Sequence, residues 1–159
     1  MYRETFGRVA KDKGLEVLGT VLYLGRVARA SGTLGSIPGV LLFWLFRERA
    51  MVFAGLTGTL FVLGIFAARY LERKTGDDDP SCVVVDEMVG MMAALTAFKL
   101  SWATAVAAFL AFRFFDIVKP FPARQFEEKR GGLGIMLDDI VAAAYTWVAI
   151  RLAFALVPH

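Results

Sequence analysis

Long apolar stretches alternate with short charged segments along the whole chain. Two windows contain no charged residue, Ala30–Phe46 and Ala50–Ala68. Three further apolar segments carry charged residues near an end: Ser81–Phe98, Ser101–Val118 and Gly134–Val157. A bilayer core requires about 20 residues of apolar helix, and only Ala50–Ala68 is a clean span by that measure. The pattern predicts an all-α, polytopic membrane helical bundle with about five membrane segments, forming a single domain over residues 1–159.

Two stretches depart from the simple spanning pattern. Residues 31–39 read SGTLGSIPG, which is rich in helix breakers, so the first membrane segment is predicted to be a broken or re-entrant element. Leu15–Leu24 is apolar but too short to cross a bilayer, and it predicts an N-terminal interfacial helix. The connections at 47–49 and 99–101 predict tight helical hairpins, whereas 72–80 and 119–132 are longer and polar.

The distribution of Lys and Arg predicts the orientation of the bundle. Only four of the 18 cations fall on the side opposite the N-terminus: Arg47, Arg49, Lys99 and Arg151. Because cytoplasmic loops carry the excess of Lys and Arg, the N-terminal side is predicted to be cytoplasmic. Of the 15 acidic residues only Glu48 lies on the outer side, and the positive-inside rule does not require this asymmetry.

Composition excludes several classes of site. The chain is 57% hydrophobic and carries a net charge of only +3, without a basic stripe, so no nucleic acid is expected as a partner. One cysteine, Cys82, excludes an internal disulfide and a cysteine-rich metal site. The single histidine is His159, the last residue, so neither zinc nor a histidine-based triad is indicated.

Acidic residues collect where three predicted helices reach the same membrane face. Successive membrane helices run in opposite directions, so the start of the third, the end of the fourth and the start of the fifth meet there. The acids at these ends are Asp79, Asp86, Glu87, Asp116, Asp138 and Asp139. Ionisable groups at membrane depth are costly and usually functional. Oxygen ligands without histidine or paired cysteine favour Mg²⁺, which often shares carboxylates with a substrate phosphate.

Cations and hydroxyls near these ends are suited to binding a phosphate. Arg113 and Lys119 each lie three residues from Asp116 on a helix, so both are its neighbours. Thr33 and Ser36, in the glycine-rich stretch, offer hydroxyls and backbone N–H groups that favour an anion, although this signal alone is weak.

Four motifs together resemble the phosphatidylglycerophosphatase A family. They are SGTLGSIPG, DPSCVVVDEMVGMMAA, FRFFDIVKPFPARQFEE and RGGLGIMLDDIVAA, and the similarity runs from about Gly32 to Ala143. The resemblance implies a Mg²⁺-dependent enzyme of the bacterial inner membrane, with its active site at the cytoplasmic face. Its implied reaction removes the terminal phosphate of the lipid phosphatidylglycerophosphate to give phosphatidylglycerol in phospholipid biosynthesis.

The resemblance also implies roles for individual residues. The metal and catalytic set is Asp79, Asp86, Glu87, Asp116, Asp138 and Asp139, and the phosphate-binding set is Thr33, Ser36, Arg113 and Lys119. Either Asp138 or Asp139 is expected to act as general base, and a covalent aspartyl-phosphate route stays open. The alternatives are another membrane phosphotransfer enzyme or a small ion-coupled transporter. A transporter favours charges near the midplane and internal repeats, neither of which the sequence shows.

Overall fold

The computed structural model describes residues 12–27, 31–46, 48–96, 98, 101–127 and 131–156. Within these ranges the chain is helical and contains no β-strand, which confirms the predicted all-α class. The helices are α1 (12–19), α2 (Leu24–Val27), α3 (Ser31–Leu45), α4 (Ala50–Thr75), α5 (Val85–Leu95), α6 (Trp102–Val118), α7 (Ala123–Glu127) and α8 (Gly132–Leu156). Arg47 and Lys99, which entered the prediction of orientation, lie outside the described residues.

The short helix α5 forms the centre of the bundle. It packs against α3, α4, α6 and α8, and almost every one of its side chains is buried. At about 1.5 Å of rise per residue, α5 is about 16 Å long, roughly half the thickness of a bilayer core. The helix is therefore shorter than the apolar segment predicted over Ser81–Phe98. The apolar side chains of α5 contact other helices, and hydropathy does not distinguish such contacts from contacts with lipid.

Among the described residues, two helices are long and apolar enough to cross a membrane, Ala50–Thr75 and Gly132–Ala155. The apolar stretch Gly32–Leu45 is shorter. Length and composition thus support a membrane helical bundle, and the count of about five membrane segments stays a prediction.

The glycine-rich stretch forms a continuous helix rather than the predicted broken element. Residues 31–39 all belong to α3, with Pro38 inside it. A Cβ atom at Gly39 would lie 2.7 Å from the carbonyl oxygen of Met88, so the missing side chain lets α3 approach the backbone of α5. Packing against α5 therefore outweighs the weak helix propensity of glycine.

The predicted interfacial helix over Leu15–Leu24 is interrupted by a turn. α1 ends at residue 19, and residues 21–23 have positive φ angles before α2 begins. Glu16 forms ion pairs with Arg26 and Lys74, which tie this segment to the end of α4. The hydrogen bond from Lys74 holds the pKa of the Glu16 carboxyl below its usual range. Whether the segment lies at a membrane interface stays a prediction.

Candidate active site

Three carboxylates from two helices meet at one point inside the bundle. Asp86 and Glu87 lie in the first turn of α5, and Asp139 lies in the second turn of α8. One oxygen atom from each residue lies within 4.8 Å of the oxygens of the other two. Asp139 is only 2% exposed and Asp86 only 9%. We call these three residues the carboxylate triad.

The carboxylate triad contains buried oxygen atoms that are unsatisfied. Oδ1 of Asp86, Oε2 of Glu87 and Oδ1 of Asp139 are buried, and none has a hydrogen-bond partner among the described residues. Uncompensated buried charges of one sign are strongly unfavourable. A hard divalent cation with oxygen ligands would satisfy all three atoms, so the donor set fits Mg²⁺.

A fourth carboxylate, that of Asp138, lies beside the triad and is paired with the ammonium group of Lys119. The Nζ atom of Lys119 donates to Oδ2 of Asp138 at 3.0 Å. The backbone N–H of Asp139 donates to Oδ1 of Asp138 at 2.9 Å. Lys119 directly follows the last residue of α6 as its C-cap and has a left-handed backbone (φ 46°), and Pro120 comes next in the chain. Asp138 is therefore held by α6, whereas Asp139 faces α5.

Arg113 and Asp116 form a further ion pair, one helical turn before the end of α6. Both side chains are largely buried, and the Nε atom of Arg113 has no hydrogen-bond partner among the described residues. Asp116 is also close enough to Glu87, Asp138 and Asp139 to interact with each electrostatically. A guanidinium group with an unused donor beside a cation site is suited to binding phosphate oxygens.

Two glycines allow the helices to approach closely around these groups. A Cβ atom at Gly32 would lie 2.7 Å from both Nη atoms of Arg113 and 2.8 Å from Oε1 of Glu87. A Cβ atom at Gly90 would lie 2.8 Å from Cβ of Asp139 and from Cζ of Phe112. Gly32, in the glycine-rich stretch that also carries Thr33 and Ser36, thus adjoins the site, and Gly90 lies where α5 packs against α6 and α8.

Replacing Gly32 with alanine tests this placement. The added methyl group would displace the ends of two flexible side chains, Arg113 and Glu87, rather than any backbone atom. We expect Gly32→Ala to lower kcat/KM for phosphate release at least about tenfold while the melting temperature stays near that of the parent, since misplacement of catalytic groups by about 1 Å is costly. Gly14→Ala, where no atom lies within 4 Å of the new Cβ, is the matched control. Equal activity of both variants would contradict the placement.

The other sequence-predicted residues lie around this centre without joining the triad. Asp79 is exposed on the loop before α5, near enough to Asp86 for an electrostatic interaction. Thr33 is exposed on α3. Ser36 is buried, and its hydroxyl donates to the carbonyl of Gly32 at 2.9 Å, so its proton is already used within the helix. Their roles in binding metal or phosphate stay predictions.

Comparison with known proteins agrees with the motifs. The sequence model of a family described as phosphatidylglycerophosphatase A matches residues 17–154 of the chain. The chain belongs to the phosphatidylglycerophosphatase A family. The resemblance deduced from the four motifs is thereby confirmed, as is the prediction that the chain is an enzyme of the phosphatase class.

Individual relatives of the family show how far the similarity extends. A phosphatidylglycerophosphatase A of Haemophilus influenzae is 40% identical over 130 residues, which cover 79% of this chain and 80% of the relative. The phosphatidylglycerophosphatase A of Escherichia coli is 37% identical over 114 residues, or 70% of this chain and 66% of the relative. A Bacteroides thetaiotaomicron protein named "Putative phosphatidylinositol-3-phosphatase" is 42% identical over 132 residues, or 78% of this chain and 80% of the relative. No solved structure matches the chain.

Proposed function

We propose that this protein hydrolyses the terminal phosphate monoester of phosphatidylglycerophosphate, releasing phosphate and phosphatidylglycerol for phospholipid biosynthesis. Membership of the family and the names of the relatives from H. influenzae and E. coli support this substrate. The single observation that carries the chemistry is the carboxylate triad, with its three unpaired buried oxygens beside an arginine with an unused donor.

The proposed cofactor is Mg²⁺, held by Asp86, Glu87 and Asp139, with Asp116 and Asp79 as nearby oxygen donors. When bound, the ion would polarise the phosphoryl group and lower the pKa of an attacking water. The triad residues contribute their unpaired oxygens, whose burial among apolar side chains keeps bulk water from competing for them.

We propose a separate role in hydrolysis for each of the charged side chains outside the triad. Water gives a proton to a carboxylate base as it attacks phosphorus, the bond from phosphorus to the lipid oxygen breaks, and the leaving alkoxide takes a proton from solvent, to which the base returns its own. We assign Asp138 as the general base, because Asp139 belongs to the triad whereas Asp138 lies outside it. Lys119 orients Asp138 through their hydrogen bond. Arg113 neutralises charge that develops on the phosphoryl oxygens.

A shallow site at helix ends fits a lipid substrate, and we propose the cytoplasmic face of the bacterial inner membrane as its position. The excess of Lys and Arg on the N-terminal side supports that orientation. The triad lies at the start of α5 and near the start of α8, which the topology assigns to the same side. Only the headgroup has to reach the charged residues, so the acyl chains remain in an apolar environment.

An assay on the purified chain tests both the substrate and the metal. We expect phosphate release from phosphatidylglycerophosphate in detergent micelles with Mg²⁺, and a loss of at least about 100-fold when EDTA replaces the ion, since metal polarisation contributes several kcal/mol. Restoring excess Mg²⁺ should restore the rate. Release that persists in EDTA would contradict the metal proposal.

The headgroup is tested by comparing two substrates. Phosphatidylinositol 3-phosphate is the comparison substrate, because the relative from B. thetaiotaomicron carries the name of a phosphatase for that lipid. A higher kcat/KM for phosphatidylglycerophosphate supports the proposed headgroup. A higher kcat/KM for phosphatidylinositol 3-phosphate would contradict the proposed glycerophosphate headgroup. The proposed hydrolysis of a phosphate monoester would not be affected by that result.

A further inference from the structure

An apolar groove runs between α3 and α6 on the outside of the bundle. It has a volume of about 200 Å³, and only apolar side chains line it. Ile37 and Leu41 form one wall, and Val106, Phe109 and Leu110 form the other. The small side chain of Ala105 is buried at its floor.

The groove begins beside the candidate active site. Its walls are the two helices that place Gly32 beside Arg113, and Phe109 lies one helical turn before Arg113 on α6. The two helices that carry Gly32 and Arg113 therefore also form the walls of the groove. The exposed apolar face of α4 around Val62, by contrast, lies on a helix that has no extended contact with α3 or α6.

At the end of the groove farthest from Arg113, the ring of Trp102 lines the groove and packs against the ring of Trp44. The ring centroids of Trp44 and Trp102 are 4.2 Å apart. Trp102 and Arg113 are about 16 Å apart along α6 at about 1.5 Å of rise per residue. One leaflet of a bilayer core is about 15 Å thick, so the distance from Trp102 to Arg113 is comparable with the depth of an acyl chain in the bilayer.

We propose that the groove between α3 and α6 binds an acyl chain of the phospholipid substrate while its terminal phosphate lies at Arg113. This inference rests on the proposed function, which requires a phosphate monoester attached to a membrane lipid. Because the surrounding lipid tails are equally apolar, moving an acyl chain from the bilayer into the groove releases little hydrophobic free energy. Its contribution is to orient the lipid so that the headgroup meets the catalytic groups.

A substitution that narrows the groove tests the proposal. Val106→Phe places a ring in the groove at a side chain that is 55% exposed, so the fold can accommodate it. The measured quantity is kcat/KM for a dioleoyl substrate divided by kcat/KM for a dihexanoyl substrate, whose tails reach only the end nearest the site. We expect Val106→Phe to lower this ratio about tenfold, since misplaced reactants lose rate steeply.

The matched control makes the same change on another exposed helix face. Val62 is 52% exposed on α4, outside the groove, so Val62→Phe should leave the ratio unchanged. An unchanged ratio in Val106→Phe, or an equal fall in Val62→Phe, would overturn the proposal.

Photolabelling gives a test that does not depend on turnover. The probe is a non-hydrolysable phosphonate analogue of phosphatidic acid with a diazirine in one tail, and its reference is the same tail on phosphatidylcholine. We expect the phosphonate probe to label residues 37–41 and 102–110 in excess over the reference, and Val106→Phe to remove that excess. Uniform labelling of all exposed helix faces by both probes would show that the tails contact the protein only as surrounding lipid, and would overturn the proposal that the groove binds an acyl chain of the substrate. Absence of phosphate release from either chain length would instead contradict the proposed function, and the labelling pattern would still decide the groove.

Discussion

Asp139→Asn is expected to abolish phosphate release, with kcat/KM lower by at least about 1000-fold, or about 4 kcal/mol of transition-state stabilisation. Asp139 is the member of the carboxylate triad that comes from α8, and one of its oxygens has no partner among the described residues. Neutralising it removes one of the three ligands that join α8 to α5 through the proposed ion. Phosphate release in detergent micelles at saturating Mg²⁺ measures the effect.

Asp139→Asn should stabilise the metal-free protein even though it abolishes phosphate release. Three buried carboxylates repel one another when no cation is bound, so an amide in place of one carboxylate relieves both repulsion and desolvation. In EDTA we therefore expect a higher melting temperature for Asp139→Asn than for the parent. Mg²⁺ should raise the melting temperature of the parent by preferential binding to the folded state, and should not raise that of the variant.

Two further variants separate the roles of neighbouring acids. Asp138→Asn should lose turnover but keep the Mg²⁺-dependent rise in melting temperature, because Asp138 pairs with Lys119 outside the triad. Asp12→Asn, on α1 and outside the triad, should behave as the parent in both measurements. A Mg²⁺-dependent rise that survives in Asp139→Asn would contradict the proposed metal site.

Gly132→Ala is expected to destabilise the fold by at least about 3 kcal/mol, the upper range for overpacking, because the contact involves backbone atoms. A Cβ atom at Gly132 would lie 2.0 Å from the carbonyl oxygen of Ile65 and 2.7 Å from the backbone nitrogen of Arg69. Neither atom can move unless α4 and α8 separate. Thermal unfolding in detergent measures the loss, and phosphate release should fall with it because α8 carries Asp138 and Asp139.

Gly55→Ala provides the matched control in the other long helix. No atom lies within 4 Å of a Cβ atom at Gly55, so the methyl group meets open space on α4. Alanine favours a helix over glycine by about 0.5–1 kcal/mol, so this variant should be as stable as the parent or slightly more stable. If Gly132→Ala unfolded at the same temperature as Gly55→Ala, the close approach of α4 and α8 would be wrong.

The convergence of acids could be predicted from sequence because charges stand out inside apolar segments. Asp86, Glu87 and Asp139 each interrupt such a segment near one end, and alternating helix direction brings those ends together. Their division into a triad and an ion pair could not be predicted. Adjacent residues on a helix point about 100° apart, so the rotation of α8 about its axis decides that Asp139 faces α5 and Asp138 faces Lys119.

The path of two segments was harder to predict, for a common physical reason. Hydropathy reports that a side chain prefers an apolar environment, and it does not distinguish lipid from the interior of a protein. Hydropathy predicted a membrane segment at α5, and the structure adds that most side chains of this helix contact other helices inside the bundle. Likewise, glycines were taken as helix breakers over residues 31–39, whereas close contact of Gly39 with the backbone of α5 stabilises the helix there.

The short central helix also constrains how the chain is assembled during synthesis. α5 is too short to cross the bilayer and brings two acids with it, so its insertion alone would be costly. Its partner α8 lies later in the chain, and α8 supplies both the covering surface and the third carboxylate. A nascent chain therefore has no complete carboxylate triad until α8 docks, and translation that stops before α8 yields a product that lacks Asp138 and Asp139.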